Sequence, residues 1–564
     1  MACMTEGARP RPAVPHWLPR PTEPEERLWA AFRFGRQVEY EDGEEIRAEI
    51  VAALALGVLP AVPGRTAGVR VRGATVVGEL DLRHGLIEVP LTLLHCRFTG
   101  AVRLEESTTK SLDLTGSRLV GLCATGAHIR GSIDLTDAEL TAGTGGGNET
   151  ALLQKVIVDT DLVCRGMRCE GLLSLIGARI GAELDLCGAT LTHPGEVAAN
   201  LGGASVTRSL YCSDATISGH LRMPGLTVGG VLSLDGVVLC DPPAAGPFAH
   251  QSLTGESLTV GGNASFDDGF TAAAQVDLTG ARFGGRLSFK RAALATTFAD
   301  WPALLANAAS VARGLYIGDG FHAAGAVRLT GVQIGGHLDL YRMDPDSGPL
   351  ELYYAKAATV RDGKTSKGRY VDGGIESWPT QVQLDGFTYE AFDPYLHSER
   401  RIKLLRKQPS YAAQPYEFMA AYYRALGHDL AARQILIEKE RVRHRDFRRL
   451  SRVGSVISNT TVGYGYLPRR AAYLAVAAQI LASVFYAFAV PTAIHPGDRV
   501  TYYPVLYAAD LFVPIVHFGQ TDAFQSHGFA ACVAYVLPYL GWALGVAIVA
   551  GASRTLSKGG GGIV

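Results

Sequence analysis

From about Val69 to Leu340 the chain repeats a short alternation of apolar and polar positions. It runs VGELDL, EVPLTL, TGAVRL, TKSLDL, RGSIDL, EGLLSL, GAELDL, SGHLRM, GGVLSL, GGRLSF, AGAVRL and GGHLDL. The alternation, as in Leu184-Asp185-Leu186, has the period of a strand with one buried face. Gly or another small residue follows and permits a turn.

The early apolar anchors are Leu80, Leu91, Val102, Leu112, Cys123 and Ile133, spaced 10 or 11 residues apart. Further on they fall into fours: Leu153, Leu162, Leu173, Leu184; Leu201, Leu210, Leu221, Leu232; Leu253, Ala264, Val276, Leu287; Leu305, Leu315, Val327, Leu338. Successive groups start 48, 52 and 52 residues apart. The extra residues precede each group's first member, in stretches such as TAGTGGGNETA and CDPPAAGPFAHQ. Strands this short bury a core only by stacking. Two eleven-residue units per coil give about 22 residues per rung, and about 22 units give a rod of about 11 rungs, roughly 50 Å long. The expected fold is therefore mainly β, a parallel β-helix; a flat β-sandwich has no reason to keep a fixed repeat.

Within that frame, Cys164 and Cys212 occupy the slot two residues after their anchors, which Phe266 and Ile317 fill in the next groups. A slot shared by Cys, Phe and Ile reads as an inward packing column. Asp81, Asp113, Asp134, Asp185, Asp277 and Asp339 alternate with apolar neighbours and are expected to face outward. Equivalent slots hold Ser174, Arg222, Ser233, Ser288 and Arg328, so the face reads as solvated and not as an acidic strip for calcium or acid/base chemistry.

The period changes on either side of the repeat. EPEERLWAAFRFGRQVEY and GEEIRAEIVAALALG have helical spacing, with Ile46, Ile50, Ala53 and Leu54 on one face, and are expected to cap the rod. SWPTQVQLDGFTYEAF reads as a closing β-segment. YEFMAAYYRALGHDLAARQILIEKERVRHR reads as two helices joined at Gly427, and Glu399 to Arg449 carries 13 Lys or Arg against 6 Asp or Glu. Then come two uncharged stretches, Ala471 to Val490 and Phe529 to Ala552, each long enough for a hydrocarbon layer of about 30 Å. Arg469 and Arg470 abut the first, Arg554 and Lys558 follow the second, and the stretch between them has only Arg499. The positive-inside bias places both ends in the cytosol. The intervening VTYYPVLYAADLFVPIVHFGQTD is broken by Pro504, Asp510, Pro514 and His517, and is expected to re-enter or lie on the membrane. Ionisable groups there are functional candidates, although Asp510 could equally cap a short helix.

The resulting organisation is 1–24 an unstructured N-terminus, 25–64 a helical cap, 65–345 the β-helix and 346–394 the closing segment. Residues 395–458 form a basic helical neck, 459–556 a membrane domain with spans 471–490 and 529–552 and a re-entrant or interfacial segment 500–520, and 557–564 a cytosolic tail. Composition changes little in this picture. The formal net charge of -1 gives no pull toward nucleic acid, and the 66 glycines suit a turn-rich stack. Met1 to Glu23 lacks the apolar core of a signal peptide. Nine scattered cysteines suggest a reducing compartment and not a disulfide framework.

One string tempts a stronger reading. Thr461 to Gly465 spell TVGYG, the sequence of potassium-channel filters. It precedes the first apolar stretch, where no pore helix comes before it, so it reads as a cytosolic-surface turn with Tyr464, Tyr466, Arg469 and Arg470 as interface anchors.

EERLWAAFRFGR, GVRVRGATVVGELDL, GARIGAELDL, WPTQVQLDGFTYEAFDP, QPYEFMAAYYRALGHDLAARQILIEKER, VGYGYLPRRA and YYPVLYAADLFVPIVHFGQ carry a resemblance covering about residues 25 to 556. The chain resembles a bacterial family of membrane-anchored β-helix repeat proteins, mostly uncharacterised and often catalogued as membrane-associated oxidoreductases. Its membrane module is similar to the tails of some pentapeptide-repeat proteins, in which Asp510 and Gln520 fall within the matching motif. His517 departs from the acidic residue usual there, which weakens a proton or cation role. The resemblance implies a bacterial plasma-membrane location, but no dinucleotide fingerprint, redox CxxC, haem or iron–sulfur spacing supports the oxidoreductase label.

The expectation is a binding or scaffolding surface on a cytosolic β-helix, with the lipid bilayer and a protein on the β-helix as partners, and no nucleic acid. No catalytic, cofactor or metal residues are expected; the candidate functional residues are Asp510, His517 and Gln520. An oxidoreductase and a small oligomeric channel lined by 500–520 are the alternatives.

Overall fold

The computed structural model describes residues 15, 17–143, 149–296, 301–366, 369–445, 468–494, 501–513 and 515–557. The chain divides into two units, residues 1–396 with 406–409, and residues 397–405 with 410–564.

The first unit opens with α1 (Glu23–Phe32) and α2 (Ala48–Ala55), which bury Leu28, Trp29, Phe32, Ile50, Val51 and Leu54. Glu25 is also buried. It accepts from Thr22 N (2.8 Å) and from Arg47 Nε (2.8 Å), so its charge is compensated where it is desolvated. The same stretch supplies the first two strands, Val38–Glu39 and Glu45–Arg47.

Beyond it, short parallel strands stack into two long sheets of 25 and 23 strands. One column of paired inward residues climbs the whole stack: Val69, Leu91, Leu112, Ile133, Leu162, Leu184, Leu210, Leu232, Ala264, Leu287, Leu315, Leu338, Val360 and Phe392. This is a β-solenoid. Its ladder continues through the expected closing segment, which contributes the last two of these rungs.

The eleven-residue unit is half a coil, and it holds two strands of mostly two to four residues with a bend between them. Each coil thus has four sides. The bend within each half-coil uses a left-handed residue, as at His84, His95, Glu106 and Asp137. Gly116 (φ 65°) takes it without Cβ strain, in a turn closed by Ser117 N to Leu114 O at 3.0 Å.

Four of the expected anchors need correction in phase. In the second sheet the inward residues are Leu122, Ala151, Ala199 and Leu304, not the anchors Cys123, Leu153, Leu201 and Leu305. Cys123 and Leu305 are half-buried, while Leu153 and Leu201 fill the inward slot two positions on. Two of the true anchors are alanines directly after an inserted loop, so a neighbouring leucine captures the apparent phase.

The groups of four have a geometric cause. Ordinary coils pass one corner in four residues, from Cys169 to Leu173, Ile217 to Leu221, Ala272 to Val276 and Ala323 to Val327. Alternate coils insert a loop at that same corner, between Leu140 and Ala151, Leu191 and Ala199, Leu239 and Leu253, and Leu294 and Leu304. A separate hairpin, Gly363–Ser366 with Arg369–Gly373, leaves the stack near its end.

In the second unit, α3 (Ser398–Leu405), α4 (Ala413–Ala425) and α5 (Asp429–Arg445) form a helical cluster around Tyr416, Met419, Tyr423, Ile435 and Leu436. Gly427 makes the left-handed turn between α4 and α5. The same unit contains α6 (Pro468–Phe488), α7 (Pro504–Phe512), the helical turn α8 (Gln520–Ala523) and α9 (Phe529–Ser557). Among the described residues one helix is long and apolar enough to cross a membrane, over Phe529–Val546; Ala472–Phe488 is a shorter apolar helix.

Candidate functional site

The three sequence-predicted candidates meet beside α7. Pro504 opens this helix with a preset φ, and it ends at Phe512, where Val513 turns extended ahead of Pro514. Asp510 lies in its last turn with its side chain fully covered. Its carboxylate accepts from the backbone N–H groups of Phe518, Gln520 (2.7 Å) and Thr521 (3.2 Å). His517 Nδ1 stands 3.6 Å away, on a ring that is largely exposed.

Gln520 is buried and works at the other end of the helix. Its Oε1 accepts from Tyr503 N at 3.1 Å, and its Nε2 donates to Thr501 O at 3.2 Å. Asp510 and Gln520 therefore tie both ends of α7 to the returning chain. Non-helical backbone in an apolar setting needs such partners. With three donors already satisfied, Asp510 is a lock on the backbone, not an open acceptor.

Sequence reasoning missed the hydroxyl network behind this lock. Tyr486 OH donates to Ala530 O (2.9 Å), Tyr502 OH to Tyr486 O (2.8 Å), and Tyr507 OH pairs with Ser526 Oγ (2.8 Å). The Tyr486 and Tyr507 rings meet edge to face at 4.9 Å, in a core shared with Ala482, Phe512, Phe524, Leu537 and Leu544. Buried tyrosines combine apolar contact with one directional bond, which suits the joining of three helices. The available signal was the clustering of Tyr502, Tyr503 and Tyr507 beside the breaks in VTYYPVLYAAD.

The remaining candidates separate. Arg469 and Arg470 fall in the first turn of α6. Tyr464, Tyr466 and the TVGYG string lie outside the described residues.

On the solenoid, Cys164, Leu186, Cys212, Leu234, Phe266, Phe289 and Ile317 form the expected inward column, all buried. Phe266 stacks on Phe289 with centroids 4.7 Å apart. Burial pushes the Cys212 and Cys169 thiols up to about 12 and Cys96 to about 11, far from a reactive thiolate.

The recurring aspartates are not a merely solvated face, and that expectation is corrected. Each accepts the backbone N–H two residues on: Asp81 from Arg83 (3.1 Å), Asp113 from Thr115 (3.1 Å), Asp134 from Thr136 (2.9 Å), Asp185 from Cys187 (3.0 Å), Asp277 from Thr279 (2.9 Å) and Asp339 from Tyr341 (3.0 Å). They start the turn that bends each half-coil, and Asp185 and Asp277 are buried while doing so. No group of three or more His, Cys, Asp or Glu able to hold a metal ion occurs among the described residues.

The inserted loops form the most distinctive surface of the solenoid. Three of them lean on a neighbouring coil: Gly195 N donates to Asp241 O (3.0 Å), Ser218 Oγ to Asp241 Oδ2 (2.8 Å), and Gln275 Nε2 to Pro302 O (3.2 Å). Phe248 packs on buried His220 at 5.0 Å between ring centroids and lies under the Arg222 guanidinium at 4.8 Å. The burial and the nearby Arg222 charge lower His220 to about 4, so it is neutral. Pro194, Glu196, Pro247 and Trp301 stay exposed.

No family model, no curated protein and no solved structure matches this chain.

Proposed function

We propose that the chain is a membrane-anchored binding protein that presents its solenoid on the cytosolic side. The observation that carries the reading is the row of inserted loops at one corner of alternate coils. Two coils rise about 10 Å, so the loops stand at that interval along one edge. A solenoid needs no insertions to close its core. Four in register, three of them braced on a neighbouring coil and carrying an exposed Pro194, Pro247 or Trp301, make an edge suited to an extended protein partner. In this reading α6 and α9 are the two spans, and the short apolar length of α6 is completed by its interfacial flanks.

The test is site-specific photocrosslinking in native membranes from Pro194, Pro247 and Trp301, with Asp113 and Arg361 as controls on the other sheet. The expected result is one partner captured from all three loop positions and from neither control. Equal capture from both faces, or none from the loops, sinks the reading. Reporters fused at either end should both be cytosolic; opposite placement would remove the two-span topology.

A further inference from the structure

The returning chain beside α7 has a backbone problem that the described residues leave unsolved. The Phe512 carbonyl touches α9 at Gly541, twelve residues after that helix starts at Phe529. At about 1.5 Å per residue this is roughly 18 Å along the helix, inside its apolar stretch Phe529–Val546. The chain has come back by Gln520, which is bonded to Tyr503 at the start of α7. Residues 515–518 are therefore non-helical backbone beside an apolar helix.

Their donors and acceptors are treated unequally. The Phe518 N–H points into the protein at Asp510. A trans peptide sets its carbonyl opposite its N–H, so the His517 carbonyl points away from Asp510. The carbonyls of Ile515, Val516, His517 and Phe518 accept no hydrogen bond from any described residue. The side chains along this leg are open as well, with Ile515 at 85% exposure. In hydrocarbon each bare carbonyl would cost on the order of several kcal/mol, so irregular backbone at that depth must face protein or water.

We propose that residues 515–518 line a water-filled cation pathway completed by further copies of this chain. Among the described residues one copy supplies a single wall, the exposed leg itself. Beside the leg an apolar groove of about 560 Å³, lined by Phe512, Ile515, Gly541, Trp542 and Gly545, leaves room for a neighbouring copy's side chains. Carbonyl oxygens replace the hydration shell of a cation and repel an anion, and the covered Asp510 behind them adds charge of the same sign. The inference goes beyond the loop-edge reading and shares with it only the two-span topology.

The test uses the full chain in vesicles of phosphatidylethanolamine and phosphatidylglycerol, with potassium efflux followed against protein-free vesicles. Efflux without chloride efflux is expected, falling about tenfold or more in Asp510→Ala, which releases the leg. If that variant fails to fold, Ile515→Cys decides the matter: a membrane-impermeant charged thiol reagent should modify it and block efflux. Absence of efflux with both chain ends still cytosolic overturns the inference and leaves the anchor reading standing. Chloride passing as readily as potassium, an unreactive Ile515→Cys, or a chain that crosslinks only as a monomer would also overturn it.

Discussion

The carbonyl oxygen of Phe512 lies against Gly541 so closely that any side chain at that position would overlap it. The end of a short helix is thus seated on a glycine of the long apolar one. Gly545, one turn further along, has nothing within 4 Å of where its Cβ would stand. Gly541→Val should destabilise this helix contact by about 1–3 kcal/mol as an overpacked site, whereas Gly545→Val should leave it intact. Thermal unfolding of the detergent-solubilised chain, read by exposure of the Tyr507 region to proteolysis, separates the two. Equal effects would mean that the glycines serve some contact other than this one.

The aspartate turns give a test of local stability. Asp134 Oδ1 accepts both the Thr136 N–H (2.9 Å) and its hydroxyl (2.6 Å). Asp134→Ala should cost about 1–2 kcal/mol, at about 1 kcal/mol for each bond lost. Asp134→Asn should cost much less, since its amide oxygen can still accept. Hydrogen exchange of peptides covering 128–140 is the measurement, because a solenoid loses protection rung by rung. If Ala and Asn behave alike, the turn does not depend on the side-chain acceptor.

Thiol chemistry follows from where the columns point. Alkylation needs the thiolate, and burial raises Cys96 to about 11 and Cys212 to about 12. The sign is clear: a raised value empties the thiolate state at any pH below it. Moving from pH 7 to pH 9 should therefore leave both unmodified by maleimide in the folded chain, while unfolding in urea exposes them. Cys123, Cys187 and Cys240 are half-buried and raised less, and should react before Cys96 and Cys212 as the pH climbs. Mass spectrometry of the labelled peptides reads the order, and early labelling of Cys212 would contradict its inward place.

Most of the stack was legible because alternation with a fixed step leaves few folds that can bury it. The column through Cys164, Cys212, Phe266 and Ile317 could be read directly, since inward slots tolerate only apolar groups. The role of the aspartates was not legible. Outward position is a statement of side-chain direction, and the bond to the backbone two residues on depends on turn geometry that alternation does not encode. The Asp510 lock was half legible: a carboxylate among apolar residues signals a partner, but its partners are N–H groups eight to eleven residues away, which carry no side-chain signature. Phase failed where a loop enters the coil, because insertions of different length reset the count and Ala is a weak anchor beside Leu.

Phase also failed at one rung with no inserted loop, where the corner from Leu119 to Leu122 is one residue shorter than the usual four, and there the register can be tested. Leu122 pairs with Val102 and is 2% exposed, whereas Cys123 pairs with Arg103 and is half-buried. Taking Cys123 as the anchor would invert the two, because a shift of one residue in a strand exchanges its faces. In the register found here, Leu122→Ala opens a cavity and should cost about 2–4 kcal/mol. Cys123→Ala removes a thiol at the edge of solvent and should cost less than about 1 kcal/mol. The decisive pair is polar: Leu122→Asp should abolish protection of the surrounding coils in hydrogen exchange, and Cys123→Asp should be tolerated. Asp is already native at the equivalent outward position 81, one coil below Arg103. A chain that accepts Asp at 122 and rejects it at 123 would refute the register and the stacking of the second sheet with it.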